Sequence, residues 1–105
     1  MLGWEIQIIN QATNQKYADW LTGLDGTKWV EKLFEEGKAE KFYEVACSHY
    51  LIKAIDLKAI ILGNNGFILK ADKAGAWIDE VVIDVVALKE CNGEEILRIQ
   101  TYDVS

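Results

Sequence analysis

The 105-residue sequence predicts an α+β domain: a mostly antiparallel sheet of five to seven strands with one amphipathic helix packed on one face. Three observations carry this. A period-two alternation opens the chain, where Trp4, Ile6 and Ile8 alternate with Glu5 and Gln7, as a strand with one buried face requires. One run has helical spacing and a stop residue. The second half alternates β-rich runs with Asn and Gly turn signals.

The first strand covers Trp4–Asn10. The polar Gln11–Gln15 is a connection, Lys16–Leu21 a second strand and Thr22–Gly26 a loop. The helix runs from Lys28 to Glu36, with Thr27 as N-cap and Gly37 at C′. Trp29, Val30, Leu33 and Phe34 share a face, and the expectation is that Trp29 and Phe34 join the core. So short a helix must pack to persist.

Lys41–Cys47 is a strand. Ser48–Leu62 is ambiguous: Tyr50–Ile52 and Ala59–Leu62 read as strand, whereas Lys53–Lys58 suits a helix equally. Two strands or one bent strand are preferred, because Gly63–Gly66 then forms a tight reversal into a strand at Phe67–Ala71, followed by a turn at Asp72–Gly75. Trp77–Glu90 is a long strand, and Glu95–Val104 returns along it through Asn92-Gly93 as a β-hairpin. That register sets Leu88 opposite Leu97, Val86 opposite Ile99 and Ile83 opposite Tyr102. The apolar pairs then lie on opposite faces at the two ends, so a bulge near Asp84–Val85 is needed or both faces are covered.

A chain of this length makes a single domain, residues 1–105, and half its residues are apolar, enough for a core. No apolar run is long enough to cross a membrane as a helix. The N-terminal segment lacks the pattern of a signal peptide, and Cys47 and Cys91 are too few for a disulfide scaffold. Both are expected to be reduced thiols in a cytoplasmic protein.

The charge is lopsided. The net charge is −6; residues 79–105 hold seven acids against two bases, and residues 1–78 hold ten against nine. Asp79, Glu80, Asp84, Glu90, Glu94, Glu95 and Asp103 therefore form the candidate binding set, an acidic hairpin offered to a basic partner. Direct nucleic-acid binding is disfavoured, since lysines are scattered and Arg98 is the only arginine. Anionic membranes are disfavoured for the same reason.

Chemistry finds little footing. Cys47-Ser48-His49 holds the one nucleophile-and-base pair, with the chain's single histidine, but residues two apart on a strand lie about 6.5–7 Å apart. Cys47, His49 and Cys91 lack the close pairing of a zinc site, and no phosphate-binding or nucleotide-binding motif is present. No cofactor or metal is expected, and the chain reads as non-enzymatic. The function expected is a small acidic protein-binding module, an inhibitor of the immunity or phage anti-host type that occupies a basic surface, such as that of a nucleic-acid-binding protein. The alternative is a small-molecule-binding or enzymatic domain with an aromatic-lined pocket. A homo-oligomer that pairs sheet edges is a third reading. Flat, exposed acidic and apolar residues lying together would favour binding; a deep pocket holding Cys47, His49 and a carboxylate would favour chemistry.

Overall fold

In the computed structural model of the protein, the described residues are 3–44, 47–62 and 78–103. They form a six-stranded antiparallel sheet with three α-helices, an α+β fold. The chain runs β1 (Trp4–Asn10), β2 (Lys16–Thr22), α1 (Lys28–Glu35), β3 (Ala39–Glu44), β4 (Cys47–Lys53), α2 (Ala54–Ile61), β5 (Ile78–Ile83), α3 (Val85–Glu90) and β6 (Ile96–Asp103). The sheet order is β3-β4-β6-β1-β2-β5, and every neighbouring pair is antiparallel. Hairpins join β1 to β2 and β3 to β4. The runs expected as a turn at Gly63–Gly66, a strand at Phe67–Ala71 and a turn at Asp72–Gly75 lie outside the described residues, as does Trp77.

Register explains which side chains are buried. Ile6 faces Trp20 and Thr101, Ile8 faces Ala18 and Ile99, and Ile99 faces Tyr50. All of these are buried, and they form one core with Val30 and Leu33 of α1, Leu57 and Ile61 of α2, and Leu88 of α3. The opposite sheet face carries Glu5, Gln7, Asp19, His49, Arg98 and Gln100, all half-buried. A sheet packed on one side only shows this alternation.

The predicted helix is present as α1, and its end is built as expected. Gly37 has φ +78°, its N–H donates to the Phe34 carbonyl at 3.0 Å, and the Lys38 N–H donates to the Leu33 carbonyl at 2.9 Å. This is a Schellman cap, which needs a left-handed residue that glycine supplies without strain. Thr27 stands at the N-cap but its side chain makes no capping bond. The core expectation fails for Phe34, which is 42% exposed beside Lys41, whose Nζ lies 5.9 Å from its ring centre. Val30 and Leu33 are the buried residues of this helix, and Trp29 is half-buried against Trp20 with ring centres 6.3 Å apart.

Two segments read as strand are helix. Ala54–Ile61 is α2, burying Ala54, Leu57 and Ile61 at helical spacing. The long strand expected over Trp77–Glu90 is also corrected. It ends at Ile83, and Asp84 starts α3 by accepting the Ala87 N–H at 3.0 Å. The C-terminal hairpin therefore does not exist: β5 pairs with β2, whereas β6 lies between β4 and β1. Leu97 faces Asn10 and Ile52, not Leu88, and Tyr102 faces Glu5 and Cys47, not Ile83. The switch of face at Asp84–Val85 marks a change of element, not a bulge.

Asn92-Gly93 is a turn of a different kind. The Glu95 N–H donates to the Asn92 carbonyl at 3.0 Å and the Glu94 N–H to Asn92 Oδ1 at 2.9 Å. Gly93 lies close to α2: a Cβ there would stand 3.2 Å from Ile55 Cβ, so Ile55 would have to shift by a few tenths of an ångström to admit a side chain. The turn docks on the start of α2, where the Gly93 and Glu95 carbonyls accept the Ile55 and Ala54 N–H groups at 3.0 and 2.8 Å. These donors have no partner within the helix, and Lys53 gives no side-chain cap.

Candidate functional site

The seven acids of the candidate set do not share one surface. Asp79 and Glu80 lie on β5, Asp84 caps α3, and Glu90 ends it. Glu94 and Glu95 sit in the turn before β6, and Asp103 is at the far end of that strand. Seven residue steps along β6 put about 23 Å between its ends. Glu95 is tied inward, its Oε2 accepting from Cys91 Sγ at 2.7 Å and Asn10 Nδ2 at 3.4 Å. Glu94 lies 3.7 Å from Lys53 Nζ.

Asp79, Glu80, Asp84 and Glu90 follow one another along β5 and α3, interleaved with exposed valines. β5 and α3 follow each other along one edge of the sheet, and among the described residues β5 pairs only with β2. Val81, Val82, Val85 and Val86 are all exposed there, Val82 and Val86 by 68% and 65%. Lys89 is the one base within β5–α3. Glu80 adopts φ +51°, where the pairing register with β2 shifts between Asp19 and Leu21. A left-handed residue at an irregularity bends an edge strand, so this edge is not a flat template for another strand.

The acidic character extends onto the adjoining half of the open sheet face. Glu5 and Asp19 are diagonal neighbours across β1 and β2. Burial, then a hydrogen bond and like charge from Asp19, raise the Glu5 carboxyl above its ordinary range. The valines could have been flagged: four in six residues on a segment with no consistent buried face.

The other reactive groups lie in two places, Cys47 and His49 on β4 and Cys91 beside Glu95. Cys47 and His49 lie on the open face of β4, half-buried, opposite Tyr102 and Gln100. The cavity beside His49, about 180 Å3, is lined by Gln11, Phe42, Leu51 and Arg98, without a carboxylate or Cys47. Cys91 is buried, and burial with the Glu95 hydrogen bond pushes its thiol up, away from the thiolate a nucleophile needs. It lines a polar cavity of about 330 Å3 with Asn10, Tyr17, Glu90 and Glu95. Among the described residues no group of three or more His, Cys, Asp or Glu could hold a metal ion.

A third cluster is structural. Glu31 Oε1 accepts from Lys41 Nζ at 2.6 Å and from the Tyr50 hydroxyl at 2.5 Å. Burial alone would raise the Glu31 carboxyl, but these two bonds outweigh it and hold it below its usual range. Tyr50 is pushed up to about 12 by burial and by Glu31. The ammonium of Lys41 also faces the Tyr43 and Tyr50 rings at 4.7 and 5.4 Å. The cluster ties α1 to β3 and β4.

The chain matches no protein-family model, no curated protein and no solved structure. Among the described residues, no helix is long and apolar enough to cross a membrane.

Proposed function

We propose that this protein is a non-enzymatic binding module whose β5–α3 edge docks on a partner protein that is basic with an apolar centre. The observation that carries it is the juxtaposition of four exposed valines with Asp79, Glu80, Asp84 and Glu90 on one sheet edge. Apolar groups supply contact area that water otherwise solvates at a cost of about 25 cal/mol per Å2. The surrounding carboxylates accelerate encounter with a positive surface and reject acidic ones. A protein that covers a positive site in this way acts as an inhibitor of whatever that site binds, and nucleic-acid-binding proteins are the natural class of target. Cytoplasmic residence fits two thiols that form no disulfide with each other.

The test uses the intact protein as bait at low and high salt. Partners retained by wild type at low salt should be lost with Asp79→Lys combined with Glu90→Lys, mainly through a slower on-rate. Val82→Ser combined with Val86→Ser should leave the on-rate and speed dissociation. Identical retention by wild type and both double variants would remove this edge from the interface.

A further inference from the structure

Arg98 is the only arginine of a chain with net charge −6, yet among the described residues it has no carboxylate partner. Its Nη1 donates to Gln11 Oε1 at 2.7 Å and its Nη2 to Asn14 Oδ1 at 3.5 Å. Both acceptors are neutral amides in the β1–β2 connection, and Asn14 is held at φ +63°. They steer the guanidinium without neutralising it. Its Nε is buried and finds no hydrogen-bond acceptor among the described residues. An unmet donor on a permanent cation is costly, and the exposed Nη1 and Nη2 each keep a second N–H that an anion in the adjoining cavity would take.

The surroundings define the anion. Leu51 is Arg98's cross-strand partner on β4, and Phe42 is that of His49 on β3. These four side chains and Gln11 line an open cavity of about 180 Å3 on the solvent-facing side of the sheet. A cavity of about 150 Å3 accommodates a benzene ring. The Phe42 and His49 rings, with centres 6.0 Å apart at 52°, give it an aromatic wall. One cation with apolar walls suits a monoanion with an apolar body. A dianion such as phosphate would need further cations and would be repelled by the net charge. The site lies three strands from β5, about 14 Å across the sheet, so it is separate from the proposed protein-binding edge.

We propose that the Arg98 cavity is a binding site for a small aromatic carboxylate, with the guanidinium pairing the carboxylate and Phe42 and Leu51 covering the ring. The experiment is a titration of isotopically labelled protein with benzoate, followed by NMR, beside benzyl alcohol and inorganic phosphate. Benzoate at millimolar concentration should give saturable shifts centred on Phe42, His49, Leu51 and Arg98. Benzyl alcohol, which keeps the ring and loses the charge, should bind at least about tenfold more weakly, the value of a charge-assisted hydrogen bond. Phosphate should also bind more weakly than benzoate. Arg98→Gln should lose the preference for benzoate over benzyl alcohol, and Phe42→Ala should weaken both. Equal affinity of wild type for benzoate and benzyl alcohol would overturn the proposal even if Arg98→Gln failed to fold. So would phosphate binding as tightly as benzoate, shifts centred elsewhere, or no saturation.

Discussion

Glu5 shows how a single carboxyl records its surroundings. It sits half-buried on the open sheet face with Asp19 diagonally across, and Gln7 Nε2 donates to it at 3.5 Å. Burial and Asp19 raise its pKa above 4.5, so folding favours the protonated form. At pH well above both the folded and unfolded values the ionised group opposes folding; below the unfolded value that penalty disappears. Glu5→Gln should therefore stabilise the protein near neutral pH by roughly 0.2–1 kcal/mol, the range for a like-charge cross-strand contact. The gain should vanish as the pH falls below about 4.5, the ordinary glutamate value. Denaturant melts of both proteins at neutral and acid pH measure it, and an unchanged or lower neutral midpoint for the variant would contradict it. Asn10 is the opposite case, a buried polar residue that is fully used. Its Oδ1 accepts from the Ala12 and Thr13 N–H groups at 2.9 and 3.2 Å, and its Nδ2 donates to Tyr17 Oη at 3.1 Å.

The helices differ in what holds them. α2 buries Leu57 and Ile61, whereas α1 leaves Phe34 partly exposed at the rim of the core. Leu57→Ala should cost about 2–5 kcal/mol, and Phe34→Ala less, about 1–2 kcal/mol. Chemical denaturation of the two variants checks this ordering; equal losses would mean that the α1 face is packed more tightly than its exposure indicates. The contrast also explains what could be read in advance. β1 announces itself because Trp4–Ile8 alternates apolar and polar residues, and α1 because Gly37 ends it locally. α2 was hidden. Its sequence, AIDLKAII, is β-branched and apolar, and the carbonyls that meet its first N–H groups come from Gly93 and Glu95, some forty residues away. α3 was hidden because two valines favour strand, although Asp84 is a proper N-cap. The acids of the candidate edge were legible as composition. The run of four valines among them is legible too, but its exposure is not, because that of Val82 and Val86 depends on β5 pairing with β2 and not with β6.

At the scale of the molecule, the sheet is closed by its last strand. β6 lies between β4 and β1, with Ile99 facing Tyr50 on one side and Ile8 on the other. Without it the sheet divides into β3–β4 and β1–β2–β5, each with an open inner edge. A chain ending before Ile96 should lack dispersed NMR signals and regain them when a peptide of the sequence Ile96–Asp103 is added in excess. A truncated chain that folds without the peptide would show that β6 is dispensable to the core. Trp4 pairs with Asp103, so the central ladder joins residues almost a full chain length apart. Such pairing makes folding slow, on the millisecond-to-second scale of non-local β topologies.

During synthesis that order of events becomes a hazard. At about 5–20 residues per second, a chain of a hundred residues takes roughly 5–20 s to emerge, and the strand that joins the two half-sheets comes last. Throughout that interval the inner edges of β1 and β4, with Ile6, Ile8, Tyr50 and Ile52 beside them, stay available to any other strand. Rapid production therefore favours pairing between nascent chains. Slower translation, or a holdase that shields those two edges until residue 103 has appeared, should raise the yield of folded protein without altering its equilibrium stability.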